Sequence, residues 1–418
     1  MIQETHDAIY LRYLAGETYR EIADKNYVTP ERIRQIVVKE KRRQNMAWGD
    51  EGVTKLQYKQ DSTTAWGGIG VPKNVQVTKA GIIRSLRMIQ GGGTLAFAGA
   101  TTASKLGPYN AYTLLELLGN SQQDIFRGSG IAMYYINSLL NGLERDSIPP
   151  NASLGGTINA TDTDFVFDGS ATTAPSVNTQ WNWSLKLPVA QKIRSVGGDV
   201  GMIPMSTENA QLQFSFTPNA QSVSGSTYTM QSAADDLTQP YFGSNAVTIV
   251  SPSLDLVREM YEAIQDPNNF PDFSFVSQWL EETPQTFSGT QWTWKQNQDA
   301  GILLRLIFAT YTSTSPWGIG TLSLPSASAI QLSYNTDTAK FKESGLEALA
   351  RQREQLGFDL PQGVFFYDLL GPDLTLSDVL NTYVVPAIQL QMSYNAITLN
   401  TNLNPKVIAQ RLLPLRVA

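Results

Sequence analysis

Ile125-Phe126-Arg127-Gly128-Ser129-Gly130-Ile131 runs into an apolar stretch from Ala132 to Leu140. It returns later in the chain as Lys340-Phe341-Lys342-Glu343-Ser344-Gly345-Leu346, which leads into a helix-like segment ending at Gly357. In both copies an aromatic and a basic residue precede Ser-Gly. Serine at such a point caps a helix, because its oxygen accepts from the unpaired amides of the first turn. Two other stretches recur in the same order. Gly81-Ile82-Ile83 corresponds to Gly301-Ile302-Leu303 at an offset of 220, and the Ser-Gly segment to its echo at 215. Gln211-Leu212-Gln213 corresponds to Gln389-Leu390-Gln391 at 178. The contraction falls where the first half carries a long loop over 145–180 and the second half does not. Ordered matches with one explained gap predict a duplicated β domain.

Composition agrees. The charged fraction is 16%, well below the usual quarter, and the balance is made up by Gly, Pro, Ser, Thr, Asn and Gln. That suits many strands joined by long uncharged loops, expected over 145–180 with one short strand at 165–167, from Thr217 to Gln231, and over 312–328. Period-two alternation marks Trp181 to Pro188, Gln211 to Phe216, Gln291 to Trp294 and Ala387 to Tyr394 as strands, and Gly301 to Phe308 is the most apolar strand. Gly91-Gly92-Gly93 has no Gly-Lys-Ser/Thr and no helix after it, so it reads as a turn and not a phosphate loop. Leu254, Val257, Tyr261 and Ile264 at helical spacing predict a connector helix between the halves.

Chemistry is sparsely represented. The chain has no cysteine, which excludes thiol nucleophiles and cysteine metal sites, and its one histidine, His6, lies in a charged N-terminal segment. No catalytic, cofactor or metal residue is assigned, and the expectation is a protein that is not an enzyme. No apolar run reaches the length that spans a bilayer, which predicts a soluble chain or one assembled from soluble subunits.

Residues 1–46 differ from the rest. They carry nine Lys/Arg against seven Asp/Glu, whereas the whole chain has a net charge of −6. Ile9, Tyr10 and Leu14 share one helical face, Thr18 to Lys25 gives a second helix, and Thr29-Pro30 opens a third with Ile33, Ile36 and Val37 inward. Tyr19-Arg20-Glu21-Ile22-Ala23 followed by Val28-Thr29-Pro30-Glu31-Arg32-Ile33-Arg34-Gln35-Ile36 resembles the promoter-reading helix-turn-helix of bacterial sigma factors. That resemblance implies that Arg32, Arg34 and Gln35 face a major groove, with Lys39, Lys41, Arg42 and Arg43 near phosphates. The alternative for this segment is a helical knob that packs on a neighbour or on anionic lipid headgroups.

The β body carries a second resemblance. Gly70-Val71-Pro72-Lys73 precedes the Gly81 strand, Gly107-Pro108-Tyr109-Asn110 precedes Leu114-Leu115, and Gly201 to Met205 precedes the Gln211 strand. With the repeated Ser-Gly helix, these make residues 70–418 similar to the double jelly-roll major capsid proteins of tailless icosahedral viruses, tectivirus-like phages especially. The resemblance implies a mainly β fold of two tandem jelly rolls behind a small helical segment. The expected division is 1–46 helical, 47–75 linker, 76–252 first roll, 253–269 connector helix and 270–418 second roll.

It also implies a structural subunit whose partners are itself, as a homotrimer of pseudo-hexagonal outline with neighbouring capsomers, and minor capsid proteins. An internal membrane or genomic DNA would meet residues 1–46, in a virion assembled in the host cytoplasm. The first competing class is a DNA-binding regulator using 1–46, with the β body as an oligomerisation module. The second is a carbohydrate-active enzyme with Trp181, Trp183, Trp292 and Trp294 as sugar platforms; tryptophans alternating along strands serve cores more often.

Overall fold

The computed structural model describes residues 56–99, 101–103, 109–119, 123–141, 171–172, 179–180, 183–193, 198–205, 211–232, 239–261, 273, 275–284, 286–288, 291–296, 301–309, 328–334, 338–357, 360, 364–370, 379–382, 384–385, 387–394 and 405–414. In the N-terminal region it describes 9, 12, 17–26, 28–30, 33–34 and 36–37. The chain divides into two compact units, one of residues 1–56 with 261–270 and the other of 57–260 with 271–418.

The smaller unit contains helix α1 (Tyr19–Asn26). Its start is a reciprocal cap: the Glu21 amide donates to Thr18 Oγ1 at 3.3 Å and the Thr18 amide to Glu21 Oε2 at 2.8 Å. Ile22 and Ala23 bury against Ile9, Ile33, Ile36 and Val37, the residues whose helical spacing marked them as inward.

Among its described residues, the larger unit has sixteen principal strands. The first eight are β1 (Leu56–Ala65), β2 (Lys73–Gln76), β3 (Ile82–Gly91), β4 (Tyr112–Gly119), β5 (Gln123–Gly128), β6 (Trp183–Pro188), β7 (Leu212–Pro218) and β8 (Ser253–Tyr261). The second eight are β9 (Phe275–Glu282), β10 (Gln291–Gln296), β11 (Ile302–Ala309), β12 (Ser328–Tyr334), β13 (Thr338–Ser344), β14 (Val364–Asp368), β15 (Ile388–Tyr394) and β16 (Lys406–Pro414). Helix α2 (Gly130–Asn141) follows β5, and helix α3 (Gly345–Leu356) follows β13.

Sheet order exposes the duplication. One sheet runs β1-β8-β3-β6, and its counterpart runs β9-β16-β11-β14; another runs β2-β7-β4-β5, and its counterpart β10-β15-β12-β13. Each member of one roll maps onto the member eight strands later, helices included. The three sequence anchors fall on equivalent elements: Gly81 and Gly301 open β3 and β11, Ser129 and Ser344 precede the two helices, and Gln211 and Gln389 lie at β7 and β15. Gly81 and Gly301 both have positive φ, 68° and 98°, a conformation that side chains resist. The architecture is a double jelly roll: closing two sheets over one core leaves few exposed edges.

The rolls share a sheet. β5 pairs with β9 in parallel, Phe126 opposite Trp279 and Arg127 opposite Leu280, which fuses β2-β7-β4-β5 to β9-β16-β11-β14. Phe126 and Trp279 are both fully buried there. Gln278 Nε2 donates to Asp124 O at 2.7 Å, and Glu281 accepts from the Ser129 amide. Deeper in, Arg305 Nη1 donates to Gln191 Oε1 at 2.8 Å, while Gln410 Nε2 donates to Ser277 Oγ at 3.0 Å and Gln191 at 3.2 Å. Gln191 belongs to the first roll and the others to the second, so buried polar groups are satisfied across the seam.

Three expectations are corrected. The connector helix expected over 253–269 is strand β8 over its described residues: Leu254, Leu256, Arg258 and Met260 point inward at period two. The helical spacing misled because Arg258 occupies a core position, where its Nε meets Asp61 Oδ1 at 2.7 Å. The linker expected over 47–75 contains β1 and the start of β2. The polar loop expected from Thr217 to Gln231 holds a hairpin of Ser222–Ser224 with Thr227–Thr229. The loop expected over 312–328 and the strand expected at 165–167 lie outside the described residues, apart from Ser328.

Candidate assembly surface

The two Ser-Gly helices perform one task in both rolls. In α3, Ser344 Oγ accepts from the Glu347 amide and the Ser344 amide donates back to Glu347 Oε2 at 2.7 Å; Gly357, at φ 74°, closes the helix. In α2, Ser129 Oγ accepts from the Ala132 amide at 3.2 Å, and the reciprocal acid is supplied across the seam by Glu281. At the eighth position of each helix stands an amide side chain, Asn137 in α2 and Gln352 in α3. Asn137 Oδ1 accepts from the Lys186 amide at 2.9 Å and its Nδ2 donates to Lys186 O at 2.7 Å. Gln352 Oε1 accepts from the Phe366 amide at 2.8 Å, and Arg351 Nη2 donates to Phe366 O at 3.1 Å. Lys186 lies on β6 and Phe366 on β14, the outermost strands of equivalent sheets. Each helix therefore occupies backbone groups that an edge strand would otherwise offer to another chain.

The remaining edges differ in treatment. β5 and β9 satisfy each other, and β10 is flanked by the short strand Thr286–Ser288. β1, ten residues long, and β13, seven residues long, end their sheets with no further described strand beside them. On β1, Tyr58 is 67% exposed, and Lys59 and Gln60 are exposed too.

Charged groups inside the rolls hold strands rather than substrates. Arg411 on β16 is 2% exposed, with Nη2 on Glu282 Oε1 at 2.5 Å and Nε on Gln296 Oε1 at 2.9 Å. Arg258 and Asp61 make the matching pair, from the last strand of the first roll to its first strand. Glu259 faces Lys186 Nζ at 2.6 Å and Arg84 Nη1 at 3.1 Å. Burial pushes its carboxyl up, but the hydrogen bonds from Lys186 and Ser85, with the charges of Lys186 and Arg84, outweigh burial and hold it below the usual carboxylate range.

Of the residues assigned to nucleic acid, Arg34 is an exposed helical residue; Arg32, Gln35, Lys39, Lys41, Arg42 and Arg43 lie outside the described residues, as does His6. Trp183, Trp292 and Trp294 are fully buried, which removes them as sugar platforms; Trp181 is outside the described residues. No group of three or more metal-ligating side chains occurs among the described residues.

The sequence matches no protein-family model and no curated protein. The fold is matched. The STIV major capsid protein superposes with a TM-score of 0.58 at 12% identity, over 86% of this chain and 96% of that one. A structure of the PBCV-1 virus capsid gives 0.52 at 13% identity, over 87% and 95%. The Faustovirus major capsid protein gives 0.52 at 8% identity, over 88% and 92%. At these identities the likeness is one of fold, and it spans nearly the whole length of each neighbour.

Proposed function

We propose that this chain is a major capsid protein that forms homotrimers of pseudo-hexagonal outline and tiles an icosahedral viral shell. The observation that carries the reading is the strand-for-strand duplication. Two jelly rolls with the same topology are fused through one sheet, and the whole fold is similar end to end to viral capsid subunits. Two rolls per copy give three copies a six-lobed outline. A low charge fraction lets many copies meet with little like-charge repulsion. The buried acid–arginine pairs of each roll are accounted for as strand clamps, and the buried tryptophans as core.

In this reading the partners are other copies of the chain, neighbouring capsomers and minor capsid proteins, and the location is the virion shell after assembly in the host cytoplasm. Residues 1–46 face the shell interior, where Arg32, Arg34, Gln35, Lys39, Lys41, Arg42 and Arg43 meet genomic DNA or the anionic surface of an internal membrane. The test is sizing with negative-stain microscopy of the purified chain. Trimers with a hexagonal outline, or closed shells, support the reading, and a stable dimer that shifts specific DNA overturns it in favour of a regulator.

A further inference from the structure

We propose that copies of this chain join by edge-strand addition, with β13 of one copy pairing in parallel with β1 of the next and repeating between molecules the β5–β9 seam found within each molecule. The proposal rests on the trimer reading and names the strands that make its contact. β13 is the second-roll counterpart of β5, and β1 is the first-roll counterpart of β9. Inside one chain the β5-type edge and the β9-type edge are used up on each other. Among the described residues, a single chain therefore leaves one edge of each type, and the two are complementary by descent from one duplicated unit.

Three observations select these edges over the others. The outermost strands β6 and β14 are already occupied by Asn137 and by Gln352 with Arg351. The edge at β10 is covered by the strand Thr286–Ser288, and β2 is only four residues long. β1 is a long exposed edge, a feature that proteins otherwise blunt or cover because it templates pairing. The occupant is a second copy because this chain already contains the matching strand in a seam of the same kind. The contact is head-to-tail, so it closes into a ring when the rotation per roll allows and extends as a filament when it does not.

The chain has no cysteine, so introduced thiols report without background. Lys342 corresponds to Arg127, whose opposite number is Leu280. Lys342→Cys is combined in turn with Tyr58→Cys, Lys59→Cys, Gln60→Cys and Thr63→Cys, and the assembled full chain is oxidised. Adjacent strands lie about 4.8 Å apart, within the roughly 4.4–6.8 Å Cα separation that a disulfide spans. The expected result is covalent dimer and trimer bands on a non-reducing gel for at least one pairing. Lys342→Cys with Ser222→Cys, on the exposed hairpin, gives only monomer. Trimers by sizing with no covalent band from any β1 position overturn the strand junction while leaving the trimer reading intact. Monomers by sizing overturn the trimer reading itself, and the junction with it. A ladder that runs past trimer upholds the junction and rejects the closed ring.

Discussion

Replacing Glu281 by alanine removes a carboxylate that serves both rolls. One oxygen accepts from the Ser129 amide at the start of α2, and the other meets Lys406 Nζ at 3.0 Å. The Glu281 side chain is 8% exposed, and that of Lys406 is 34% exposed. An amide left unsatisfied away from water costs about 1–3 kcal/mol. The lysine, one-third in water, recovers hydration and adds no more than about 1 kcal/mol. We expect Glu281→Ala to destabilise by about 1–4 kcal/mol, with each kcal/mol lowering the thermal midpoint by about 2–4 °C. Glu281→Gln keeps an acceptor for the amide and should recover most of the loss. Glu347→Ala is the internal comparison, because Glu347 performs the same capping task on α3 from an exposed position where water replaces it. Urea unfolding of the three variants at one fixed protein concentration measures the difference. Equal losses for Glu281→Ala and Glu347→Ala would refute the argument that the acid across the seam is structurally distinct from the acid in the exposed cap.

Gly301→Ala places a Cβ 2.5 Å from Leu412 O at φ 98°, and we expect a loss above about 2 kcal/mol; Gly225→Ala, at φ 59° in open space, should cost about 1 kcal/mol by the same urea assay. Arg411→Met leaves Glu282, 28% exposed and still accepting from Trp294 Nε1, without its cation and should cost about 1–3 kcal/mol, recovered in part when Glu282→Gln is added, as a double-mutant cycle will report. Glu259 titrates below its unfolded value, so its contribution is present above the unfolded pKa of 4.5 and is lost as pH falls through the depressed folded pKa. Glu259→Gln should flatten that limb of stability against pH in acid-titrated denaturation. For the N-terminal segment, Arg32→Ala with Arg34→Ala should weaken DNA binding of the assembled protein and relax its sequence preference, as competition between DNA sequences will report; no DNA affinity in the parent at low salt would reject that role.

The anchors legible in the sequence were backbone-dictated. A glycine that must take positive φ and a serine that must cap a helix announce themselves locally, so Gly81, Gly301, Ser129 and Ser344 could be matched without any knowledge of what they touch. The apolar strands β3 and β11 and the alternating β7, β10 and β15 were readable for the same reason. What escaped depends on partners distant in the chain. Arg258 on β8 and Arg411 on β16 stand at inward positions because Asp61 and Glu282 await them, and a charged residue in the alternation makes a strand read as a helix or a loop. β1 looked like linker because an exposed edge strand has polar residues on both faces. The amides Asn137 and Gln352 share the offset of 215 with the Ser-Gly pair, but their role shows only when β6 and β14 are seen as edges.

A shell subunit built from a duplicated jelly roll assembles in threes, and mass measurement with negative-stain imaging of the purified protein reads that assembly. We expect three copies of the 46.0 kDa chain in a six-lobed particle, or shells built of such particles. A monomer or twofold dimer that persists across protein concentration and salt, with no six-lobed particle, would contradict it.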